Sequence, residues 1–497
     1  MLVRALVATR DRRSRPALRR SLDLPVLKII ELRMAIVSGE QDRSLLYLLN
    51  QFRGQGAKIP ADKVYAILGL TDTNILDINL RVDYSIPTAQ FYTDLAAGIL
   101  MSPSAGGLDL LSVPRAESDL SREMPSWSPD WSHGAANAQP LLASVSRYSS
   151  SERFCASGEL PEDSSCPCTI DGSKLYLSGH IVDRIERLTT EAFTDIEPSL
   201  AAPSVVNLRD GLMGEYDEKR KKQIDAHYKP LKKSWTDFLE HPPLLPPAPP
   251  PRNPSTLSTT TESTASETSC HQKSPNEKSP EPPLAKQENE SLLDFMKRFP
   301  YPPALAPGPP SPSPSQSLGT AYIRTLFADS FPRFLTNPNP NSPTTTTIPT
   351  TATEKLLISA LSYWLALEEV NPHGMWSVLE RLSDLLPSGI WRFPDAVPTG
   401  RFVDVGGMMG MMLGRKLMWT RDGYFGAAPA GAREGDVVVL VRGCGVPLVL
   451  RARGGVVEVG LESGKTTEWE LVGDCFMHGA MYGERWGEEE CGEVVVI

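Results

Sequence analysis

Apolar residues early in the chain recur at helical spacing. Val26, Leu27, Ile29, Ile30, Met34 and Val37 follow an i, i+3, i+4 rhythm that stops at Ser38-Gly39, which predicts a helix from about residue 23. Leu45, Leu46, Leu48, Leu49 and Phe52 predict a second helix over 42–53, with Asp42 as its N-cap. A short third helix opens at Pro60-Ala61-Asp62, where a missing N–H costs nothing and a carboxylate meets the positive end of the dipole; it closes at Gly69. Ser85 is the expected N-cap of a fourth, with Pro87 just inside. That helix carries Phe91, Leu95 and Ile99 on one face, Tyr92 and Ala96 beside them, and ends near Met101. The apolar run 108–113 is a buried strand or helical turn, since periodicity does not decide at that length. Over 174–188 the period changes to two, with Leu175, Leu177, Gly179 and Ile181 on one face and His180 on the opposite, solvent-facing one. Residues 209–241 are charged and helical in pattern, and the KRKK run at 219–222 is expected on a solvated face.

Periodicity then fails. Of the chain's 45 prolines most lie between 242 and 350, among Ser and Thr tracts. Such composition buries too little apolar area to offset the entropy of ordering, so 242–353 is expected to be a disordered insertion. Two islands interrupt it, SLLDFMKRF at 291–299 and TAYIRTLFADSF at 320–331, each a candidate short helix. Helical patterns follow at 354–370 and 374–386, the latter with Trp376, Leu379, Leu382, Leu385 and Leu386 on its apolar side. From about 400 the texture is Gly-rich and β-branched, with strands expected at 437–441, 447–452, 456–460 and 467–478. The predicted fold class is α+β: a mainly helical N-terminal unit, a long disordered insertion and a small C-terminal antiparallel β unit. In residue numbers this gives a basic leader (1–22), a helical or α+β region (23–241), the insertion (242–353), a helical segment (354–399), the β unit (400–486) and an acidic tail (487–497).

Charge and cysteine usage narrow the chemistry. A net charge of −10 and a pI near 5.4 argue against a nucleic-acid binder, whose affinity comes from phosphate neutralisation. Seven cysteines without paired C-x-x-C spacing suggest neither a disulfide scaffold nor a zinc site. No run approaches the roughly 18 apolar residues of a membrane span. We therefore expect no metal, no cofactor, no nucleic acid and no membrane span, with protein partners and a cytoplasmic location. The Arg-rich first twenty residues leave a mitochondrial transit peptide as the alternative.

Several motifs resemble chemistry and fail on context. GLESGKT at 460–466 has three spacers where a phosphate loop needs four, and it joins β segments rather than opening a helix. GGMMGMMLG at 406–414 lacks dinucleotide spacing and a surrounding βαβ unit. His478 lies near Asp474 and Glu484 in sequence, an acid–base possibility without a nucleophile; a buried structural hydrogen bond is the plainer expectation. Trp127, Pro129, Asp130 and Trp131 form the densest aromatic cluster, either a ligand clamp or a packed turn in which Asp130 caps backbone N–H groups. No catalytic residue is assigned.

In order along the chain, DKVYAILGL (62–70), VDYSIPTAQFYTDLAAGIL (82–100) and MPSWSPDWS (124–132) resemble three successive words of the fungal heterokaryon incompatibility (HET) proteins. The resemblance is carried by Asp62, Tyr65, Asp83, Tyr84, Trp127, Asp130 and Trp131. It continues through Arg324 and Asp329 in the second island, through Gly423 and Tyr424 in the run 416–451, and through His478 in 469–484. Where the family usually has D-P-R before the first word, this chain has Ile59, Pro60 and Ala61, and Asp474 replaces a usual Glu. The resemblance implies a part in non-self recognition and programmed cell death. It attributes that activity to an N-terminal α/β HET domain similar to TIR domains, none of whose words occurs here. The expectation is thus a non-catalytic regulatory or interaction portion. The alternatives are a cryptic enzyme with a site near 127–131 and His478, and a truncated paralogue without function.

Overall fold

The computed structural model describes residues 44–72, 74, 78, 80–115, 118–133, 140–141, 154–158, 168–193, 218–242, 412–453 and 467–497, with isolated positions between 286 and 325. The helices expected at 23–38, 354–370 and 374–386, the strand at 456–460, the GLESGKT run and the family positions Arg324 and Asp329 lie outside the described residues.

The helical unit begins with α1 (Leu45–Phe52), whose Leu45, Leu46, Leu48 and Leu49 are all buried. Its cap is Ser44 rather than Asp42: the Ser44 Oγ accepts from the Tyr47 N–H at 3.4 Å. The single turn α2 (Asp62–Tyr65) follows Pro60 as the sequence predicts. The next helix, α3 (Thr88–Met101), buries Phe91, Tyr92, Leu95, Ala96, Ile99 and Leu100, yet Ser85 does not cap it. The Asp83 carboxylate captures Ser85 first, accepting from its N–H at 2.8 Å and its hydroxyl at 2.6 Å, so α3 starts uncapped behind Pro87. The ambiguous run resolves as a 3₁₀ turn at Gly107–Ser112 against α3, with Leu110 and Leu111 fully buried. Gly106 enters that turn at φ 132°, and a Cβ there would sit 2.6 Å from the Leu46 side chain; only glycine fits.

Among the described residues the sheet has nine strands: β1 (Cys168–Asp171), β2 (Lys174–Leu188), β3 (Arg415–Thr420), β4 (Phe425–Pro429), β5 (Val437–Val441), β6 (Leu448–Ala452), β7 (Glu468–Asp474), β8 (Phe476–Met477) and β9 (Gly492–Val496). Pairing is antiparallel except between β7 and β9. The circuit closes on itself, because β5-β6-β7-β9-β2 is completed by β2 pairing back to β5. The strand with period-two alternation is therefore the stave of the barrel. Its first half pairs β9 (Leu175 with Val496, Leu177 with Val494), its middle pairs β5 (Gly179 with Val441), and its end pairs β3 (Ile185 with Thr420). A register shift between Ile181 and Asp183 supplies the bend such closure needs. The β unit so extends beyond 400–486. It recruits β1 and β2 from the N-terminal half, and the segment whose charge suggested an acidic tail becomes, from Gly492, a strand between β2 and β7 with Val494, Val495 and Val496 buried.

Both faces of these strands are covered. Alternate residues, such as Val437, Val439 and Val441 of β5 or Leu448 and Leu450 of β6, join a core continuous with the helical unit. Their neighbours Val438 and Val449, with Met418, Ala428, Cys475 and Met477, form a second, separate cluster. On the first face α4 (Glu218–Glu240) lays Leu231, Trp235, Phe238 and Leu239 against the barrel, Phe238 stacking 6.4 Å from Trp419. Phe295 and Phe299 from the first island, Ala321 and Tyr322 from the second and Leu318 just before it are buried in the same core, with Tyr322 6.1 Å from Phe425.

At Gly426 of β4 a Cβ would lie 2.1 Å from the Phe476 carbonyl oxygen and 2.7 Å from Met418 Cε. Gly426→Ala is expected to lower the free energy of unfolding in urea by about 1–3 kcal/mol through overpacking of the β4/β8 pairing. Gly431→Ala, whose Cβ meets nothing closer than Val472 Cγ1 at 3.8 Å, is the control and should stay within about 0.5 kcal/mol.

Candidate functional site

The tryptophan turn sits at the junction of the helical unit and the barrel. Trp127 and Trp131 are fully buried. The Trp127 indole donates to the Ser173 carbonyl at 2.9 Å, in the turn joining β1 to β2. Ser126 links the turn to two strands: its hydroxyl accepts from the Leu471 N–H at 2.9 Å and its N–H donates to the Ile497 carbonyl at 3.0 Å. Asp130, itself buried, is saturated by local donors. Its Oδ1 accepts from the Ser132 N–H at 2.8 Å and the Ser132 hydroxyl at 2.6 Å, and its Oδ2 accepts from the Ser118 hydroxyl at 2.7 Å, with His133 Nδ1 at 3.0 Å. Burial would raise the Asp130 carboxyl, but these hydrogen bonds outweigh it and hold the group below the ordinary carboxylate range.

Arg53, at the end of α1, lies across this turn. Its guanidinium stacks 5.3 Å from the Trp131 ring centroid and donates to the carbonyls of Asp130 (3.2 Å) and His133 (3.3 Å). Burial pushes its pKa down to about 10 against the attraction of Asp130. Lys63 of α2 donates to the Arg53 carbonyl at 3.0 Å; burial and the Arg53 charge both lower its pKa.

A second polar knot lies where β7 meets the turn at 107–112. Arg415 Nη2 donates to Asp474 Oδ1 at 2.5 Å and Nη1 to the Asp474 carbonyl at 2.8 Å, both side chains being buried. The other oxygen, Oδ2, accepts from the Ser112 hydroxyl at 2.5 Å and the Leu141 N–H at 2.8 Å. Asp474 thus ties β3 and β7 to the helical unit. Arg115, just past the 107–112 turn, lies within electrostatic reach of both knots, repelled by Arg53 and attracted by Asp474.

The remaining family positions are distributed over the fold. Asp62 accepts from the Tyr84 hydroxyl at 2.8 Å, and the Tyr65 hydroxyl accepts from the Asp83 N–H at 3.1 Å, so the first two words pin each other. Gly423 turns β3 into β4 at φ 84°, its N–H donating to the Thr420 carbonyl at 3.0 Å. Tyr424 lies under the Arg485 guanidinium at 4.9 Å. His478 is buried, and its N–H donates to the Phe425 carbonyl at 3.0 Å. Asp474 is turned to Arg415, and the Glu484 carboxylate accepts from the Tyr482 N–H at 2.7 Å. The structure therefore brings the tryptophan turn together with Asp474 through 107–115.

His180 differs from the expectation of a solvent-facing ring. The 485–491 segment covers that face: His180 Nε2 lies 3.1 Å from the Arg485 carbonyl, its ring packs 5.5 Å from Trp486, and burial lowers its pKa. Burial pushes Cys444 up to about 12 and raises Cys475 further, which leaves little thiolate for nucleophilic work. Among the described residues no three His, Cys, Asp or Glu side chains converge as a metal site would need, and no helix is long and apolar enough to cross a membrane.

Arg53, Lys63, Arg115 and Arg415 were missed in the sequence because isolated cations on amphipathic patterns read as surface. The one available signal was Arg53, which follows Phe52 at the end of a helix whose apolar side carries four leucines.

Residues 394–496 match the family model described as the Het-6 beta-barrel domain, a domain of fungal heterokaryon incompatibility proteins. No curated protein and no solved structure matches the chain.

Proposed function

We propose that this chain is a regulatory or interaction portion of a heterokaryon-incompatibility-type protein, acting in fungal non-self recognition and programmed cell death by binding a protein partner rather than by catalysis. The observation that carries the proposal is the use made of the polar side chains of the resembling words. Asp130 receives donors on both oxygens, Asp62 and Asp83 are held by Tyr84 and Ser85, and Asp474 is closed between Arg415 and Ser112. Groups so committed are poor general acids or bases, which need to face a reacting atom. Asp62, Asp83 and Asp130 hold turns within the helical unit instead, and Asp474 ties that unit to the barrel. The place of action in this proposal is the cytoplasm.

Expressed alone in a filamentous-fungal host, the chain is expected to leave growth and NAD levels unchanged. It should co-purify with an incompatibility protein that carries the N-terminal HET domain. Growth arrest with NAD loss caused by this chain by itself would overturn the non-catalytic proposal, and 124–133 and 474–484 would be the first segments to mutate.

A further inference from the structure

Arg115 inverts the usual habit of long basic side chains. Arginine normally buries its methylene stem and keeps its head group in water. Here the residue as a whole is only half-buried, while Nε, Nη1 and Nη2 are all shut away from solvent. None of the three has a hydrogen-bond partner among the described residues. Nη1 of Arg53, also buried, has none either.

A buried cation with five idle N–H donors is costly unless an anion meets it. Among the described residues the carboxylates do not. Those attracting Arg53, Lys63 and Arg115 are Asp130 and Asp474, and Asp474 is shared with Arg415, leaving positive charge in excess there. Both carboxylates are already filled, Asp130 by Ser118, Ser132 and His133, Asp474 by Arg415, Ser112 and the Leu141 N–H. Burial and repulsion by Arg53 push the Arg115 pKa down to about 9, which still leaves it charged near neutrality.

We propose that the Arg115 guanidinium and Nη1 of Arg53 form a binding site for a small oxyanion, and that the oxyanion is a phosphate group, free or as a monoester. Two observations favour phosphate over a carboxylate. The donors outnumber what two carboxylate oxygens accept, and the excess positive charge suits a dianion. The proposal is independent of the interaction reading above, since an anion at this junction is compatible with either a binding or a catalytic role.

Equilibrium dialysis of the purified full chain against radiolabelled inorganic phosphate, at ionic strength fixed with sodium chloride, tests it. Saturable binding is expected, and both Arg115→Met and Arg115→Lys should weaken it by about tenfold or more, because Met lacks the charge and Lys lacks the fork. In phosphate-free buffer Arg115→Met should melt no lower than the parent chain, an uncompensated buried charge having been removed. Phosphate should raise the melting temperature of the parent but not of Arg115→Met. Absence of saturable binding overturns the proposal, as does equal affinity in either variant or equal competition by acetate.

Discussion

A fragment spanning 394–497 should fail to fold by itself, although it contains the whole segment matched by the barrel family model. The reason is β2. That strand lies outside the fragment yet closes the barrel on both edges, pairing β5 on one side and β9 and β3 on the other. Without it three strands become edges, with unpaired backbone groups and exposed valines, a combination that favours aggregation over folding. The cost is large on any estimate. Each lost ladder bond contributes about 1 kcal/mol net, and burial of a side chain such as Leu175, Leu177 or Ile185 about 1.5–3 kcal/mol, so the total exceeds the 5–15 kcal/mol that holds a typical domain together. Circular dichroism in urea and proton NMR should show no cooperative transition and no shift dispersion for 394–497. Joining 168–188 to its N-terminus through a flexible linker should restore both, at least in part. A cooperative transition in the fragment alone would show that β2 is an accessory strand rather than the closing one.

The same strand shows what the sequence could and could not reveal. Its alternation of Leu175, Leu177 and Gly179 marked it as a strand, because period two is a local property. Its partners were hidden because register is not local: the Asp183 carboxylate, which accepts from the Asp422 N–H, reaches across 239 residues. Alternation also placed His180 on the face opposite Leu177, but could not say that 485–491 would cover that face. Caps failed for a related reason. Ser85 has the chemistry of a cap, yet Asp83, two residues away, competes for its N–H and hydroxyl and wins. The tryptophan turn was legible as a unit, since an Asx-type turn needs only Asp130 and the next residues. What lay around it was not. Arg53, Arg115 and Arg415 are single arginines far apart in sequence, and only the junction of the two units gives them a common environment.

The junction is also where a single atom pair should matter most. Asp474→Asn keeps the shape of the side chain and removes its charge, leaving Arg415 buried against a neutral amide. Breaking a buried pair in this way is expected to destabilise by about 3–5 kcal/mol, most of it the penalty of the stranded cation rather than the worth of the bond. Arg415→Met strands the opposite charge and should cost a similar amount. The double variant Arg415→Met with Asp474→Asn then separates two ideas of what the pair does. If Asp474 matters mainly as the partner of Arg415, removing both charges should leave the double variant more stable than either single one, so that the coupling energy in the cycle exceeds either single loss. The Asn carbonyl oxygen would still accept from Ser112 or from the Leu141 N–H, so the tie between the helical unit and β7 would survive. Asp474→Leu in the same Arg415→Met background would cut that tie as well. It should be less stable than the Asn double variant by about 1–3 kcal/mol for each buried donor left without an acceptor. Urea midpoints with unchanged slopes would measure all four; a loss below about 1 kcal/mol for Asp474→Asn would mean that the pair is wet and the junction looser than the Arg415 and Asp474 burial implies.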